Sequence, residues 1–349
     1  MDSTTHNTAA DFALLFPDYR PTDLVELPRL AATAGVGRVF AKLESQRPFG
    51  NFKVLGGMIA GLRALARASG AASLQDLLST TSAHATALPR LICASDGNHG
   101  LSVALAAQRA GAAARIYLPA SVGPVRVQRI ADRGAQIVMV DGSYDDAVDA
   151  AAAAATAGDG LLIADTDPDP GNQIVADVMA GYRLITDELG VQLGELGVRP
   201  SHAFVQAGVG GLAAAVADGL APHMGGPARL VVVEPAAAAC VARALEAGQP
   251  TLIEGDLHTV AEMLACGLAS AAALPALRRA GASAVAVDES GLVEAVYLLR
   301  EAGGPESTPS GAAGLAGLLR VAGDPALAAA HGLGSDSDVL VMVTEAALP

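Results

Sequence analysis

The residues best placed to do chemistry surround one lysine. In Arg47-Pro48-Phe49-Gly50-Asn51-Phe52-Lys53-Val54-Leu55-Gly56-Gly57, Lys53 stands among glycines and apolar residues, just after the extended stretch 37–44. A lysine is rarely buried without a partner. Apolar surroundings disfavour the ammonium, which leaves a neutral, nucleophilic amine near neutral pH. Such an amine forms a Schiff base with a carbonyl compound. Gly50, Gly56 and Gly57 would let backbone or a ligand come close. Taken alone, the segment also reads as a surface lysine opening a helix over 54–69.

Two further loops carry suitable residue types. Ser95-Asp96-Gly97-Asn98-His99-Gly100 stands between an expected strand and an expected helix. In an open α/β sheet, ligands bind beyond the carboxyl ends of the strands. Amides at the helix N-terminus there can hold an anion. The plainer alternative is that Ser95 or Asp96 caps the helix, although capping does not call for six consecutive small or polar residues. Gln206-Ala207-Gly208-Val209-Gly210-Gly211-Leu212-Ala213 is a second strand-to-helix loop. Its glycines turn backbone N–H groups towards an anion, usually phosphate. It has a rival reading: Gly208, Gly210 and Ala213 satisfy the dinucleotide fingerprint, and Glu234 ends the next strand, where an acid for a ribose would stand. A nicotinamide oxidoreductase would use them so, but it would leave Lys53 and the loop at Asp96 unexplained. Asp165 follows the stretch 161–164 at another strand end, and Thr344-Glu345 follow the last strand. Ser310-Gly311-Ala312-Ala313-Gly314 opens a helix whose small residues fit close packing.

A repeated alternation must position these loops. Short apolar strands are expected at 39–43, 91–94, 113–118, 136–140, 161–164, 202–206, 230–233 and 339–343. Helices are expected at 27–34, 54–69, 100–109, 124–133, 144–157, 174–188 and 212–220. This order indicates right-handed βαβ units and parallel sheets. Continuously apolar strands imply that both faces are covered. Residues up to about Tyr19 read as a loose arm, and 69–88 as a helical fragment with a connecting loop. The chain has 349 residues, enough for two domains, and is 52% hydrophobic with 3% aromatics and no Trp, so its core is aliphatic. Its net charge of -14 argues against nucleic acid and anionic membrane surfaces. Cys93, Cys240 and Cys266 lack paired spacing, so buried thiols are expected rather than disulfides or a metal site. Residues 1–10 lack a signal peptide's basic start and apolar run, and no apolar stretch is long enough to span a bilayer. A cytoplasmic location is the expectation.

Together these segments resemble the fold-type-II pyridoxal-phosphate enzymes, the tryptophan-synthase-β-like superfamily, and within it the diaminopropionate ammonia-lyases. The resemblance spans about 21–345. It rests on Gly50 to Gly57, Asp96 to Gly100, Ala164-Asp165-Thr166, Gln206 to Gly210, Val233-Glu234-Pro235, Leu264 to Leu268 and Thr344-Glu345. Serine and threonine dehydratases usually carry Ser where Asp96 stands. The resemblance implies an α/β fold of two domains, each an open, mostly parallel twisted sheet covered by helices, with the cofactor in the cleft between them. Residues 1–85 plus 166–349 would form the large cofactor-binding domain and 86–165 a small mobile one. Pyridoxal phosphate would be held by Lys53, flanked by Phe52, and bonded by Asn98 at its phenolic oxygen. Gly208, Val209, Gly210, Gly211 and Leu212 would hold its phosphate, and Thr344 its ring nitrogen. Lys53, Asp96 and Asp165 would be catalytic, with Ser95, Asp96, Gly97 and His99 at the substrate and no metal. The implied reaction is β-elimination of ammonia from 2,3-diaminopropionate or a similar small amino acid, by a homodimer. The implied alternatives are a serine/threonine dehydratase-like reaction, a β-replacement, or a non-catalytic ligand-binding member. Pro309 and Ala346 depart from the pattern, which would have Glu and Gly there.

Overall fold

Among the described residues, ten short strands, separated mostly by helices, make two sheets. The structure, a computed structural model, describes residues 8–80, 88–226 and 229–347. The strands are β1 (Leu24–Glu26), β2 (Arg38–Leu43), β3 (Leu91–Ala94), β4 (Ala114–Pro119), β5 (Gln136–Val140), β6 (Leu161–Leu162), β7 (His202–Gln206), β8 (Arg229–Pro235), β9 (Ser283–Val287) and β10 (Asp338–Val343). One sheet runs β1-β2-β10-β7-β8-β9, all parallel except the edge strand β1; the other runs β5-β4-β3-β6, all parallel. The inner strands β7 and β3 are buried at every position, as expected for strands with both faces covered.

The described residues form two compact units. One takes the residues up to Arg20, Lys53–Asp165 and Gly171–Leu184; the other takes Pro21–Phe52, Thr166–Pro170 and those from Ile185 on. In the first unit, helix Asn98–Ala110 packs on β3 and β4 and lies along helix Lys53–Ser69, while Tyr144–Thr156 packs on the same two strands. This packing puts residues 53–80 with the small sheet, outside the 86–165 span expected for that domain. The expected boundary at 85, and part of the loop expected over 69–88, lie outside the described residues. In the second unit, helix Pro309–Ala322 packs on β7, β8, β9 and β10, and an aliphatic core of Val, Leu and Ala gathers around it.

The N-terminal reading needs correction. Thr8–Leu15 is a helix, not a loose arm, and it buries Phe12 and Leu15. Phe12 packs on Phe16 at 4.7 Å and on Tyr19 at 5.5 Å, and Arg63 donates to Asp11 at 3.1 Å. Polar neighbours hid an apolar set at helical spacing. Strands β1 and β9 also escaped the sequence reading. Among the described residues the three cysteines are buried and form no disulfide. Among the described residues, no helix is long and apolar enough to cross a membrane.

Candidate active site

In the first unit, Lys53 opens its helix and Nζ donates to Oδ2 of Asp165, three residues beyond β6. The Lys53 side chain is 22% exposed and that of Asp165 9%. Burial alone would raise the Asp165 pKa; the charges of Lys53 and His99 and the bond from Lys53 overcome it and hold the carboxyl well below the usual range. Asp96, at the carboxyl end of β3, goes the other way. Burial pushes it up to about 7, with Asp165 adding to the shift and Lys53 and Arg126 opposing it. Two acids near one ammonium therefore titrate apart, the arrangement that separates an acid from a base.

The capping question at this loop has a clear answer. Ser95 Oγ accepts from the N–H of Gly97 at 2.9 Å and of Gly100 at 2.8 Å, so Ser95 ties down the loop and the start of helix Asn98–Ala110. The Asp96 carboxyl is not spent on capping. Gly97 has φ +141°, where a side chain would be strained, and a Cβ there would stand 3.0 Å from Arg126 Cδ. Asn98 is buried at the first helical position. His99 Nε2 lies 2.8 Å from the Ile163 carbonyl oxygen. That oxygen only accepts, so Nε2 carries a proton, while Nδ1 is buried with no hydrogen-bond partner among the described residues. Burial lowers the His99 pKa.

Gly56 and Gly57 make room for protein rather than for a ligand. A Cβ at Gly56 would meet the Tyr182 ring at 2.5 Å, and one at Gly57 would meet Ser102 Cβ at 2.8 Å and His99 Nδ1 at 3.1 Å. Tyr182 was missed by sequence reasoning. It lies on helix Gln173–Leu196, its phenol pushed up by burial and acted on by the charges of Lys53 and Asp165. An isolated Tyr in a long helix carries no signal of this.

In the second unit, the loop after β7 leads into helix Gly211–Leu220. Its carbonyls are tied to protein: Val209 O accepts from Ser270 N at 2.8 Å, and Gly208 O from Cys240 Sγ at 3.2 Å. The N–H groups of Gly208, Val209, Gly210, Gly211 and Leu212 donate to no described residue. Gly210 has φ +97°. A Cβ at Gly208 would lie 3.0 Å from Cys266 Sγ, and one at Gly210 would lie 3.1 Å from Val241. Carbonyls turned inward and amides turned outward at a helix start make an anion cradle. Beyond β10, Thr344 is held by three groups: its N–H donates to Gly311 O at 3.0 Å, its carbonyl accepts from Phe52 N–H at 3.1 Å, and its Oγ1 accepts from Gln206 Nε2 at 2.9 Å. Gln206 was read from sequence as part of the glycine loop but given no role; a glutamine at a strand end has no distinguishing spacing.

Glu234 does not stand ready for a ribose. It is fully buried, and its carboxylate accepts the N–H groups of Val241 at 2.7 Å and Ala242 at 2.8 Å. Pro309 is the first residue of its helix after the cap Thr308, and Ala346 N–H donates to Gly50 O at 2.8 Å. These two departures are absorbed by local backbone structure.

A family model described as "Pyridoxal-phosphate dependent enzyme" matches residues 15–345. This chain belongs to the pyridoxal-phosphate dependent enzyme family. It is 32% identical over 352 residues to the diaminopropionate ammonia-lyase of Escherichia coli strain K12, covering 97% of this chain and 87% of that one. The crystal structure of the Escherichia coli diaminopropionate ammonia lyase in complex with D-serine superposes with a TM-score of 0.85 at 30% identity, over 97% of this chain and 88% of that one. A Sinorhizobium medicae protein named "Probable D-serine dehydratase" is 30% identical over 336 residues, 86% of this chain and 74% of that one. The fold is thus pyridoxal-phosphate fold type II. The family's cofactor carries an aldehyde and a phosphate; taken each by itself, the first unit presents a partly buried amine at Lys53 and the second a glycine loop with unspent amides at the start of helix Gly211–Leu220.

Proposed function

We propose that this pyridoxal-phosphate dependent enzyme is an ammonia-lyase that removes the β-amine of 2,3-diaminopropionate or a close β-substituted analogue. Aminoacrylate leaves and hydrolyses, so that one diaminopropionate and one water give pyruvate and two ammonia. The observation that carries the reading is the pairing of Lys53 with ionised Asp165 beside Asp96, whose pKa is raised to about 7. A diamine substrate brings a second amino group that a hydroxyl substrate lacks, and acidic side chains suit it. The relatives named diaminopropionate ammonia-lyase support the same substrate.

Bound pyridoxal phosphate supplies the electron sink for the pair left when Cα loses its proton. The chain's own groups do the rest. Lys53 holds the cofactor and takes the Cα proton of an L-substrate. Asp96 takes it from a D-isomer, and its pKa near the working pH suits that task. Asp165 orients the Lys53 amine and faces the β-amine that leaves. Ser95 gives its hydroxyl hydrogen to the substrate carboxylate, while Gly97, whose N–H is given to Ser95, and His99, whose Nε2 is given to Ile163, hold the loop that lines this place. Phe52 packs on the ring, Asn98 donates to the phenolic oxygen, and the amides of Gly208, Val209, Gly210, Gly211 and Leu212 hold the phosphate. Thr344 meets the ring nitrogen.

Purified protein is expected to be yellow, and borohydride to fix the cofactor on Lys53. Pyruvate release over a panel of L- and D-β-substituted alanines tests the substrate. Diaminopropionate should lead the panel, and Lys53→Ala should abolish turnover. Serine leading instead would make the enzyme a dehydratase, and incorporation of an added thiol would make it a β-replacement enzyme. Cofactor uptake with no turnover of any member overturns the lyase reading.

A further inference from the structure

A buried amide decides which way the Thr344 hydroxyl points. Gln206 ends β7 and is 2% exposed. Its Nε2 lies 2.8 Å from Gly311 O, 2.9 Å from Thr344 Oγ1, 3.2 Å from Ser310 O and 3.3 Å from Met342 O. Three of these four are carbonyl oxygens, which only accept. Turning the amide over would set Oε1 against all three, so the orientation is forced. Oε1 itself is buried with no hydrogen-bond partner among the described residues. A buried acceptor is rarely left so, and here the arrangement keeps the nitrogen end on Thr344. The Thr344 backbone is pinned on both sides, by Gly311 and Phe52. Its hydroxyl has one hydrogen. Because the oxygen accepts from Gln206, that hydrogen points away from Gln206, and the group offers a donor to whatever stands before it.

We propose that Gln206 is a positioning residue that makes Thr344 a hydrogen-bond donor to the ring nitrogen of bound pyridoxal phosphate, so that this nitrogen stays unprotonated. The inference rests on the reading above that Thr344 meets that nitrogen. A neutral ring withdraws less charge than a pyridinium. Less charge is then stored in the ring, and the electron pair at Cα is the more readily used to expel a β-substituent.

The test is the ¹⁵N resonance of the holoenzyme loaded with cofactor labelled at the ring nitrogen. The native enzyme should show an unprotonated, pyridine-like resonance that does not move with pH while the protein stays folded. Gln206→Leu, close in volume and without a donor, frees the Thr344 hydroxyl to turn and should carry the resonance towards the pyridinium position. Gln206→Met removes the donor and should make the resonance pH-dependent. A merely structural role for Gln206 would lower cofactor content and leave the resonance where it was. If Thr344→Ala leaves the resonance unchanged, Thr344 does not face the ring nitrogen and the underlying reading fails. If Thr344→Ala moves it while both Gln206 variants do not, the claim for Gln206 alone fails. A pyridinium resonance in the native enzyme overturns the proposal with no variant required.

Discussion

Lys53, Asp165 and Asp96 act on one another mainly through charge. The Lys53 ammonium lowers the pKa of both acids, while burial raises both. Lys53→Ala should therefore raise both carboxyl pKa values as well as end turnover, which carboxyl ¹³C NMR on the cofactor-free variant would read. Asp96 titrates near 7, and as a base it must be ionised. Its reaction with a D-substrate should rise with pH through about 7 and then level off. Asp96→Asn should erase that limb and cut D-substrate kcat/KM by about 10² to 10⁴, the usual size of a general-base contribution, while sparing the L-isomer. The same shift has a sign for stability. Asp96 is raised above its ordinary 3.8, so it stabilises the fold at low pH and loses that contribution as pH rises through about 7. Cofactor-free Asp96→Asn should gain stability over the native chain at pH 8 relative to pH 5, by urea unfolding.

Each element that brings these residues together depends on close approach. Gly181, on helix Gln173–Leu196, lies against the start of helix Lys53–Ser69: a Cβ there would be 2.3 Å from the Leu55 carbonyl oxygen and 2.8 Å from Gly56 Cα. Backbone cannot yield as a side chain does. Gly181→Ala should destabilise by about 1–3 kcal/mol and shift the helix that carries Lys53, lowering kcat as well as the unfolding midpoint. In the second unit a buried ionic cluster braces the stretch that leads to Phe52. Glu188 accepts from Lys42 Nζ at 2.6 Å and from Arg47 at 2.7 Å, and Glu44 accepts from Arg47 at 2.8 Å. Phe49, two residues beyond Arg47, has φ +65°, a conformation that firm neighbours must hold. Burial raises the Glu188 pKa, but bonds and charges from Arg47 and Lys42 lower it further, to a value below its ordinary 4.5. Its contribution is thus present above pH 4.5 and lost as pH falls through the depressed value. Glu188→Gln leaves two buried cations short of charge and should cost about 3–5 kcal/mol, a loss that denaturant unfolding at pH 7 would show and that should shrink in acid.

For the whole molecule, cofactor and fold are linked. Pyridoxal phosphate binds the folded chain, so at about 100 times its Kd it should add about 2.7 kcal/mol of stability. Calorimetry with and without cofactor would measure this, and Lys53→Ala should reduce it without abolishing it, because the amides of the glycine loop remain. A homodimer, the assembly that the resemblance implies, would sediment at twice the 34.7 kDa chain mass.

The sequence by itself determined the α/β alternation, because apolar runs and strand-end loops are local patterns that the chain writes in order. Strand β7 is found where expected over His202–Gln206, and β5 over Gln136–Val140. The tight turns and loops needing special backbone were legible for the same reason: Gly97 and Gly210 stand at positive φ in loops picked out by their glycines. Only tertiary structure could decide partnership. Lys53 and Asp165 are separated by 112 positions, and Gln206 and Thr344 by 138. Nor could spacing show that Glu234 is spent on two amides, or that Gly56 faces Tyr182. A residue's type says what chemistry it can do. Which groups share its surroundings, and so its charge and proton, is set by contacts between distant parts of the chain, and these exist only once the helices and sheets have packed.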